Sequence, residues 1–125
     1  MNREELFAHH SELSSRALEI MRAKNNDYAG SKGNNPFANF QRVEAMGVCS
    51  VEQGFLVRIV DKVSRLSTFA ADGKLAVKNE SYEDAILDIM NYCILMSAYI
   101  KDKNSSTSVS WLLFLLNGIQ HRRAW

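Results

Sequence analysis

Helix-breaking residues are scarce in this chain of 125 residues, which contains six glycines and a single proline, Pro36. Folds with many β-hairpins use Gly and Pro in their turns, so this scarcity disfavours an all-β structure. Hydrophobic residues make up 46% of the chain, which is typical of a globular domain and not of a disordered tail. The length suits one domain with one core. We therefore predict a compact, single all-α domain.

The charge balance and the cysteines exclude several classes of protein. The chain has 15 Lys and Arg residues against 14 Asp and Glu residues, a net charge of +1. Generic binding of nucleic acid requires a surplus of cations that displaces counterions, so we predict no such binding. Cys49 and Cys93 form neither a CxxC pair nor a disulfide framework.

We searched the sequence for a secretory signal and for a membrane-spanning segment, which together predict where the protein is located. The N-terminal sequence MNREELFAHH is charged and lacks the apolar core of a secretory signal. The longest apolar run, residues 111–116, is far shorter than the roughly 18 residues that span a bilayer. We therefore expect a cytoplasmic protein without membrane association.

The spacing of apolar residues divides the chain into helices, because a recurrence every three or four positions is typical of one helix face. The predicted elements up to residue 50 are a helix over residues 2–24, a loop over residues 25–35 and a short helix between Asn35-Pro36 and Gly47. After residue 50 we predict a helix over residues 51–71, which a capping box of Ser50 and Gln53 begins and Asp72-Gly73 ends. A further helix is predicted over residues 80–101, capped by Asn79 or Ser81.

We expect the helices over residues 51–71 and 80–101 to form a central antiparallel pair. Residues 1–103 would then be the helical domain, followed by a polar linker over residues 104–110 and a short C-terminal helix or tail over residues 111–125. The apolar side chains of that tail would be a liability in a monomer, so we also expect a homo-oligomer.

The helix over residues 51–71 is predicted to have two different faces, because steps of three, four and seven residues keep side chains in register. Its apolar face consists of Leu56, Ile59, Val60, Val63, Leu66 and Ala70. Its polar face consists of Arg58, Asp61, Lys62 and Arg65.

The next helix combines an acidic stripe with apolar residues on nearly all other sides. Asp88 lies among apolar residues, with Asp84 one turn before it, Asn91 one turn after it and Glu83 beside the stripe. A carboxylate in an apolar setting is costly unless it is paired, hydrogen-bonded or bound to metal. Two explanations stay open: the stripe pairs with the polar face of the preceding helix, or both faces line a ligand site.

The ligand site, if present, suits magnesium and phosphate. Mg²⁺ takes one or two carboxylates and completes its shell with water and phosphate oxygens, so Glu83, Asp84 and Asp88 are candidate metal ligands. Arg58, Lys62 and Arg65 are candidate phosphate ligands. Asp61, Asp84 and Asp88 are the candidate catalytic residues.

A series of motifs over about residues 20–100 resembles a small phage and prophage family, the nucleotide modification associated domain, type one. The motifs are Lys24…Asp27-Tyr28, Phe37-Ala38-Asn39-Phe40, Arg58…Asp61-Lys62…Arg65-Leu66 and Asp84…Asp88…Asn91-Tyr92, in the order of that family. The resemblance implies a protein of phage nucleotide metabolism in a bacterial host cell. It also implies that Lys24, Asp27, Tyr28 and Tyr92 belong to the ligand-binding set.

The two central helices are also distantly similar to the MazG-type all-α nucleoside triphosphate pyrophosphohydrolases, which hold Mg²⁺ with an ExxE pair and an ExxD pair. The second helix matches acceptably through Glu83 or Asp84 and Asp88. The first helix departs from the pattern, because the positions around Asp61 hold cations. Cations in place of carboxylates remove metal ligands and add phosphate ligands.

Three functions are therefore considered. In the first, Mg²⁺ on Asp84 and Asp88 polarises a phosphoanhydride, and a nucleoside triphosphate is cleaved to monophosphate and pyrophosphate. In the second, the cations bind the phosphates of a nucleotide without cleaving it. The residues expected to contact the base or sugar are Asn39 and Asn91, which would hydrogen-bond, and Tyr28, Phe37 and Phe40, which would stack. In the third, the chain is only a structural helical oligomer.

Overall fold

The structure, a computed structural model, describes residues 1–29, 33–75 and 81–123, without the side chains of residues 26–29, 107–110 and 118–123. Its elements are α1 (Arg3–Ala29), α2 (Ala38–Ala45), α3 (Val51–Asp72) and α4 (Tyr82–Arg123). No strand occurs in the described ranges. The prediction of an all-α fold is confirmed.

Both ends of α3 lie where the sequence predicted them. The Ser50 hydroxyl accepts from the backbone N–H of Gln53 at 3.1 Å, and the Gln53 side chain accepts from the backbone N–H of Ser50 at 3.0 Å. This reciprocal capping box satisfies two donors that the helix start leaves unpaired. At the other end Gly73 adopts the left-handed conformation, with φ of 74°, and ends the helix.

The capping box makes Ser50 a stability determinant. We expect Ser50→Ala to lower the free energy of unfolding by about 1 kcal/mol, because the Gln53 N–H loses its acceptor. Chemical denaturation measures the change. Ser11→Ala, at an exposed serine inside α1, is the matched control and should change stability by less than about 0.5 kcal/mol. Equal effects of the two substitutions would contradict the role of the cap.

Two helices are longer than the sequence predicted. α1 continues to Ala29, so Asp27 and Tyr28 lie in a helix and not in the predicted loop. α4 continues through residues 104–110, which we predicted to be a linker, and through the predicted separate last helix to Arg123. Asn, Ser and Thr are only weakly unfavourable inside a helix, and residues 104–110 contain neither Gly nor Pro to end it.

The start of α4 follows one of its two predicted caps. The backbone N–H of Asp84 donates to the Ser81 hydroxyl, and the backbone N–H of Ser81 donates to the Asp84 carboxylate, both at 3.1 Å. Ser81 is therefore the cap, whereas Asn79 lies outside the described residues. The short α2 begins at Ala38, after a turn in which the Asn35 side chain accepts from the backbone N–H of Phe37.

The core is small and centres on α3. Val51, Phe55 and Leu87 are the largest fully buried side chains that the structure describes. The ring of Phe40 on α2 packs on that of Phe55, with centroids 4.2 Å apart. A β-carbon added at Gly54 would lie 3.1 Å from the Phe40 ring, so the glycine allows this close approach.

Contacts between α3 and α4 follow the order of antiparallel helices. Phe69 packs on Tyr82 with ring centroids 4.8 Å apart. Lys62, two turns before Phe69, pairs with Asp88, which lies after Tyr82. The two predicted central helices are therefore in side-chain contact, and their polar residues face one another along this stretch.

The predicted apolar face of α3 is not its buried face. Leu56, Val60, Val63 and Ala70 are all exposed, whereas Val51 and Phe55 are buried. The apolar residues of α3 cover more of its circumference than α1, α2 and α4 bury. The helix therefore turns one edge of its apolar surface to the core and the other to solvent.

α4 likewise is less buried than its composition suggested. Ala85, Leu87 and Asn91 are buried, but Cys93 and Ile94 are exposed. The chain divides into two compact units, Met1–Leu95 and Met96–Trp125. In the second unit Trp111 packs edge-on against Phe114, and the apolar side chains of residues 111–116 are all exposed. In the described part of the chain, no helix combines the length and the apolar character needed to cross a membrane.

Candidate functional site

Asp88 is the centre of the polar cluster in the first unit. One carboxylate oxygen, Oδ2, lies 3.2 Å from the Lys62 ammonium on α3, and both side chains are 17% exposed. The other oxygen, Oδ1, lies 3.0 Å from the ammonium of Lys24 on α1. One carboxylate of α4 thus joins two cations from two other helices.

Because this pair has limited exposure, we expect its loss to cost more than the loss of a surface salt bridge. Exposed pairs contribute about 0–1 kcal/mol each, because water screens the charges. Asp88 and Lys62 are mostly withdrawn from water, so losing either would leave the other charge poorly solvated. The requirement that the sequence predicted for Asp88, a partner for a carboxylate in an apolar setting, is met by Lys24 and Lys62.

Asp84 and Glu83 each have a partner of their own. Asp84 is exposed and closes the capping box with Ser81. Glu83 forms an ion pair with Arg16 of α1, a contact that the sequence did not suggest. The three carboxylates proposed as metal ligands therefore bind three different groups of the protein.

A cavity of about 160 Å³ lies where the polar residues of α3 and α4 meet. Lys62 and Arg65 line it from α3, and Asp84, Ala85 and Asp88 line it from α4, with Ser81 at the helix cap. A water molecule takes up about 30 Å³ in the liquid, so there is room for several waters or for a phosphate group. Two cations thus share this cavity with two carboxylates.

The remaining charged residues of α3 lie at the edge of the cluster. Asp61 is half exposed and lies 3.8 Å from both Lys62 and Arg65. Arg58 is exposed and does not line the cavity. Of the four residues predicted to form the polar face, Lys62 and Arg65 reach the cavity.

Two of the three aromatic residues expected to stack on a base, Phe37 and Phe40, take part in the packing of the protein itself. Phe37 is buried, and the ring of Phe40 packs on that of Phe55. Phe40 also lies edge-on to Tyr92, with the centroids of these two rings 6.3 Å apart. Tyr28 and Asp27 have side chains outside the described residues. The structure therefore gives Phe37, Phe40 and Tyr92 a structural role and brings none of the three to the cavity lining.

The two asparagines expected to hydrogen-bond a ligand are also engaged within the protein. The Asn91 amide donates to the backbone carbonyl of Ala17 at 2.9 Å and so joins α4 to α1. Its Oδ1 is buried and has no hydrogen-bond partner within the described part of the chain. Asn39 accepts from the Arg42 guanidinium at 3.2 Å on α2.

A Mg²⁺ ion fits the donor set only in part. Asp84 and Asp88 line one cavity, and Mg²⁺ needs only one or two carboxylates when phosphate oxygens and water complete its shell. Glu83 is not part of that lining, and no group of three metal-ligating side chains occurs among the described residues. A site with several metal ions held by the protein alone is therefore not supported.

The sequence did not identify two residues of the cavity, Ser81 and Ala85. It also did not show that Arg16 and Lys24 of α1 pair with carboxylates of α4. Ser81 was recognised only as a cap, and Ala85 carries no chemical signal. The pairing of Arg16 with Glu83 joins residues 67 positions apart, so no local pattern could reveal it.

Comparisons with known proteins leave this geometry as the main basis for a function. No family model, no curated protein and no solved structure matches the chain.

Proposed function

We propose that the chain binds the phosphate groups of a nucleotide in the cavity between α3 and α4, with Mg²⁺ as the accompanying cation. The observation that carries the proposal is the lining of one cavity by two cations and two carboxylates. Lys62 and Arg65 suit phosphate oxygens, and Asp84 and Asp88 suit a hard cation. The two pairs together are complementary to a metal–phosphate complex.

Charge balance favours such a complex over a bare phosphate. Lys62 and Arg65 are formally neutralised by Asp84 and Asp88 in the lining, so an isolated anion would gain little there. A phosphate that brings its own Mg²⁺ supplies a cation for the carboxylates and leaves the two cations of α3 for its oxygens. The motifs that resemble the phage nucleotide modification associated domain support a nucleotide as the carrier of the phosphate, in a bacterial host cell.

A second candidate function is hydrolysis of the phosphoanhydride, as in the MazG-type enzymes. The specific observation in its favour is that Asp84 and Asp88, one helical turn apart, line the same cavity. Mg²⁺ held there would polarise the phosphoanhydride and position water, and Lys62 and Arg65 would stabilise the charge that develops on the phosphates. Binding without cleavage requires fewer carboxylates, so we rank it first.

The test is a panel of nucleoside mono-, di- and triphosphates with and without Mg²⁺, followed by thermal unfolding and by product analysis. We expect a rise in the unfolding temperature that depends on both phosphate and Mg²⁺, because a ligand that binds only the native state stabilises it. Products of cleavage would favour the second candidate. No shift with any member of the panel would leave a structural role for the ion pairs.

Lys62 provides the sharpest variant for this test. We expect Lys62→Met, which keeps most of the apolar stem, to weaken nucleotide binding by at least about tenfold, since one charge-assisted contact to phosphate is lost. Isothermal titration at one ionic strength measures the change. Lys74→Met, at an exposed lysine just after α3, is the matched control for loss of charge. Equal affinities of the two variants would contradict the proposed site.

We also propose that the working form is a homo-oligomer. The observation in support is the number of large apolar side chains that the described part of one chain leaves exposed in both of its units. Such surfaces are typical of interfaces between proteins.

A further inference from the structure

One side of α3 is exposed and carries no charge between Leu56 and Ala71. Successive helical residues are rotated by about 100°, so this side spans an arc of about 140° and about 24 Å along the axis. Its members, which we call the neutral face of α3, are Leu56, Val57, Val60, Val63, Ser64, Ser67, Ala70 and Ala71. All eight are exposed.

The apolar members of this face are exposed to an unusual degree for their size. Leu56 is 47% exposed, Val60 61% and Val63 49%, and Val57 beside them is 64% exposed. Their spacing of four and three residues keeps them in one row along the helix. A row of large apolar side chains in water, bordered by small residues and without charges, has the composition of the centre of a protein interface.

The core of the chain is too small to make this exposure incidental. Within the described residues, six apolar residues are buried, and only Val51, Phe55 and Leu87 are large and fully buried.

We propose that the neutral face of α3, over its part from Leu56 to Ser64, is the contact between two copies of this chain, related by a two-fold axis that crosses α3 near Val60, the middle of that part. A two-fold axis brings each residue next to the same surface of the other copy, so a charged face would oppose itself. The absence of charge removes that repulsion. The axis also makes the two α3 helices antiparallel. Their macrodipoles then point in opposite directions, and the electrostatic interaction between them is favourable.

This contact leaves the proposed phosphate cavity on another side of the helix. Arg58, Asp61, Lys62 and Arg65 all lie outside the arc of the neutral face, by the same rotation of about 100° per residue. The inference therefore goes beyond the nucleotide proposal and does not depend on it. The axis places Ser64 next to Leu56 of the other copy, so a small side chain meets a large one and the two helices can approach closely.

The experiment measures the mass of the full chain by sedimentation velocity over a range of concentrations, for the wild type and two variants. We expect the wild type to associate, and Val60→Glu to raise the dissociation constant by at least about 30-fold, because a carboxylate would lie on the two-fold axis. The matched control is Val48→Glu, at a 70% exposed valine outside the helices. It should associate like the wild type.

A cross-link tests the same contact without introducing a charge. With both native cysteines replaced (Cys49→Ala and Cys93→Ser), we expect Val60→Cys to form a covalent dimer on mild oxidation and Val48→Cys to stay uncross-linked. A monomeric wild type would overturn the inference. So would an oligomer whose mass is unchanged in Val60→Glu, since the copies would then be held by another surface, such as residues 111–116 or a further partner.

Discussion

In Phe55→Ala we expect the free energy of unfolding to fall by about 3–5 kcal/mol, the largest effect of any single substitution considered for this chain. Phe55 is completely buried, and its ring packs on that of Phe40. Its removal takes away apolar burial and leaves a cavity in a core that has few other large side chains. Marginal stabilities of 5–15 kcal/mol are usual, so the loss is a large part of the total.

Chemical denaturation at a fixed protein concentration measures this change, because association would otherwise contribute. The matched control is Phe7→Ala, since Phe7 is 59% exposed on α1. We expect it to change stability by less than about 0.5 kcal/mol. A loss below about 1 kcal/mol in Phe55→Ala would mean that α2 and α3 do not pack as described.

Asp88→Ala is expected to lower the free energy of unfolding by about 3 kcal/mol. The substitution leaves the ammonium groups of Lys24 and Lys62 without the carboxylate that joins them. The loss of the ion pair is more costly at Lys62 than at Lys24, because the Lys62 side chain is only 17% exposed and water cannot fully replace the lost carboxylate. Thermal and chemical unfolding measure the effect.

Asp61→Ala is the matched control, because it removes the same type of side chain from the same cluster at a half-exposed position, 3.8 Å from Lys62. We expect it to cost less than about 1 kcal/mol. If the two variants have equal stability, the contacts of Asp88 contribute no more than those of an exposed pair.

The same two variants distinguish the proposed function from a purely structural role. If Asp88 helps to hold Mg²⁺, the Mg²⁺-dependent part of the nucleotide-induced thermal shift disappears in Asp88→Ala and persists in Asp61→Ala. If the shift keeps its Mg²⁺ dependence in Asp88→Ala, the carboxylate serves only Lys24 and Lys62. The magnesium part of the proposal would then be wrong.

Local sequence signals predicted the helix ends best. The capping box at Ser50, the cap at Ser81 and the glycine at position 73 each act through bonds or backbone angles within a few residues. Their chemistry is therefore visible in the sequence itself. The prediction of a linker over residues 104–110 was wrong, because weak helix formers lower the stability of a helix without ending it.

Which face of a helix is buried was much harder to predict than where the helix begins and ends. The apolar residues of α3 were identified from their spacing, but which of them are buried depends on where α1, α2 and α4 lie. Leu56 and Val60 proved exposed, whereas Phe55 became the centre of the core. A helix whose apolar arc exceeds half its circumference has more than one way to pack.

In the candidate site, too, some features follow from one side chain and others depend on distant parts of the chain. The position of Asp88 among apolar residues already required a partner, because the cost of an unpaired carboxylate is a property of the side chain. Its partners were not determined locally, since Lys24 lies 64 positions earlier in the chain. The same packing buries Phe37, places the ring of Phe40 on that of Phe55 and joins Asn91 to the backbone of Ala17, contacts that no local pattern indicated.

By itself the sequence determined the helical class, the helix caps and the need to neutralise Asp88, because each follows from interactions within a few residues or from one side chain. Only the tertiary structure decided which cations neutralise it, which carboxylates share a cavity with Lys62 and Arg65, and which side of α3 is left exposed. Those features depend on the relative placement of helices, and long-range contacts alone set that placement.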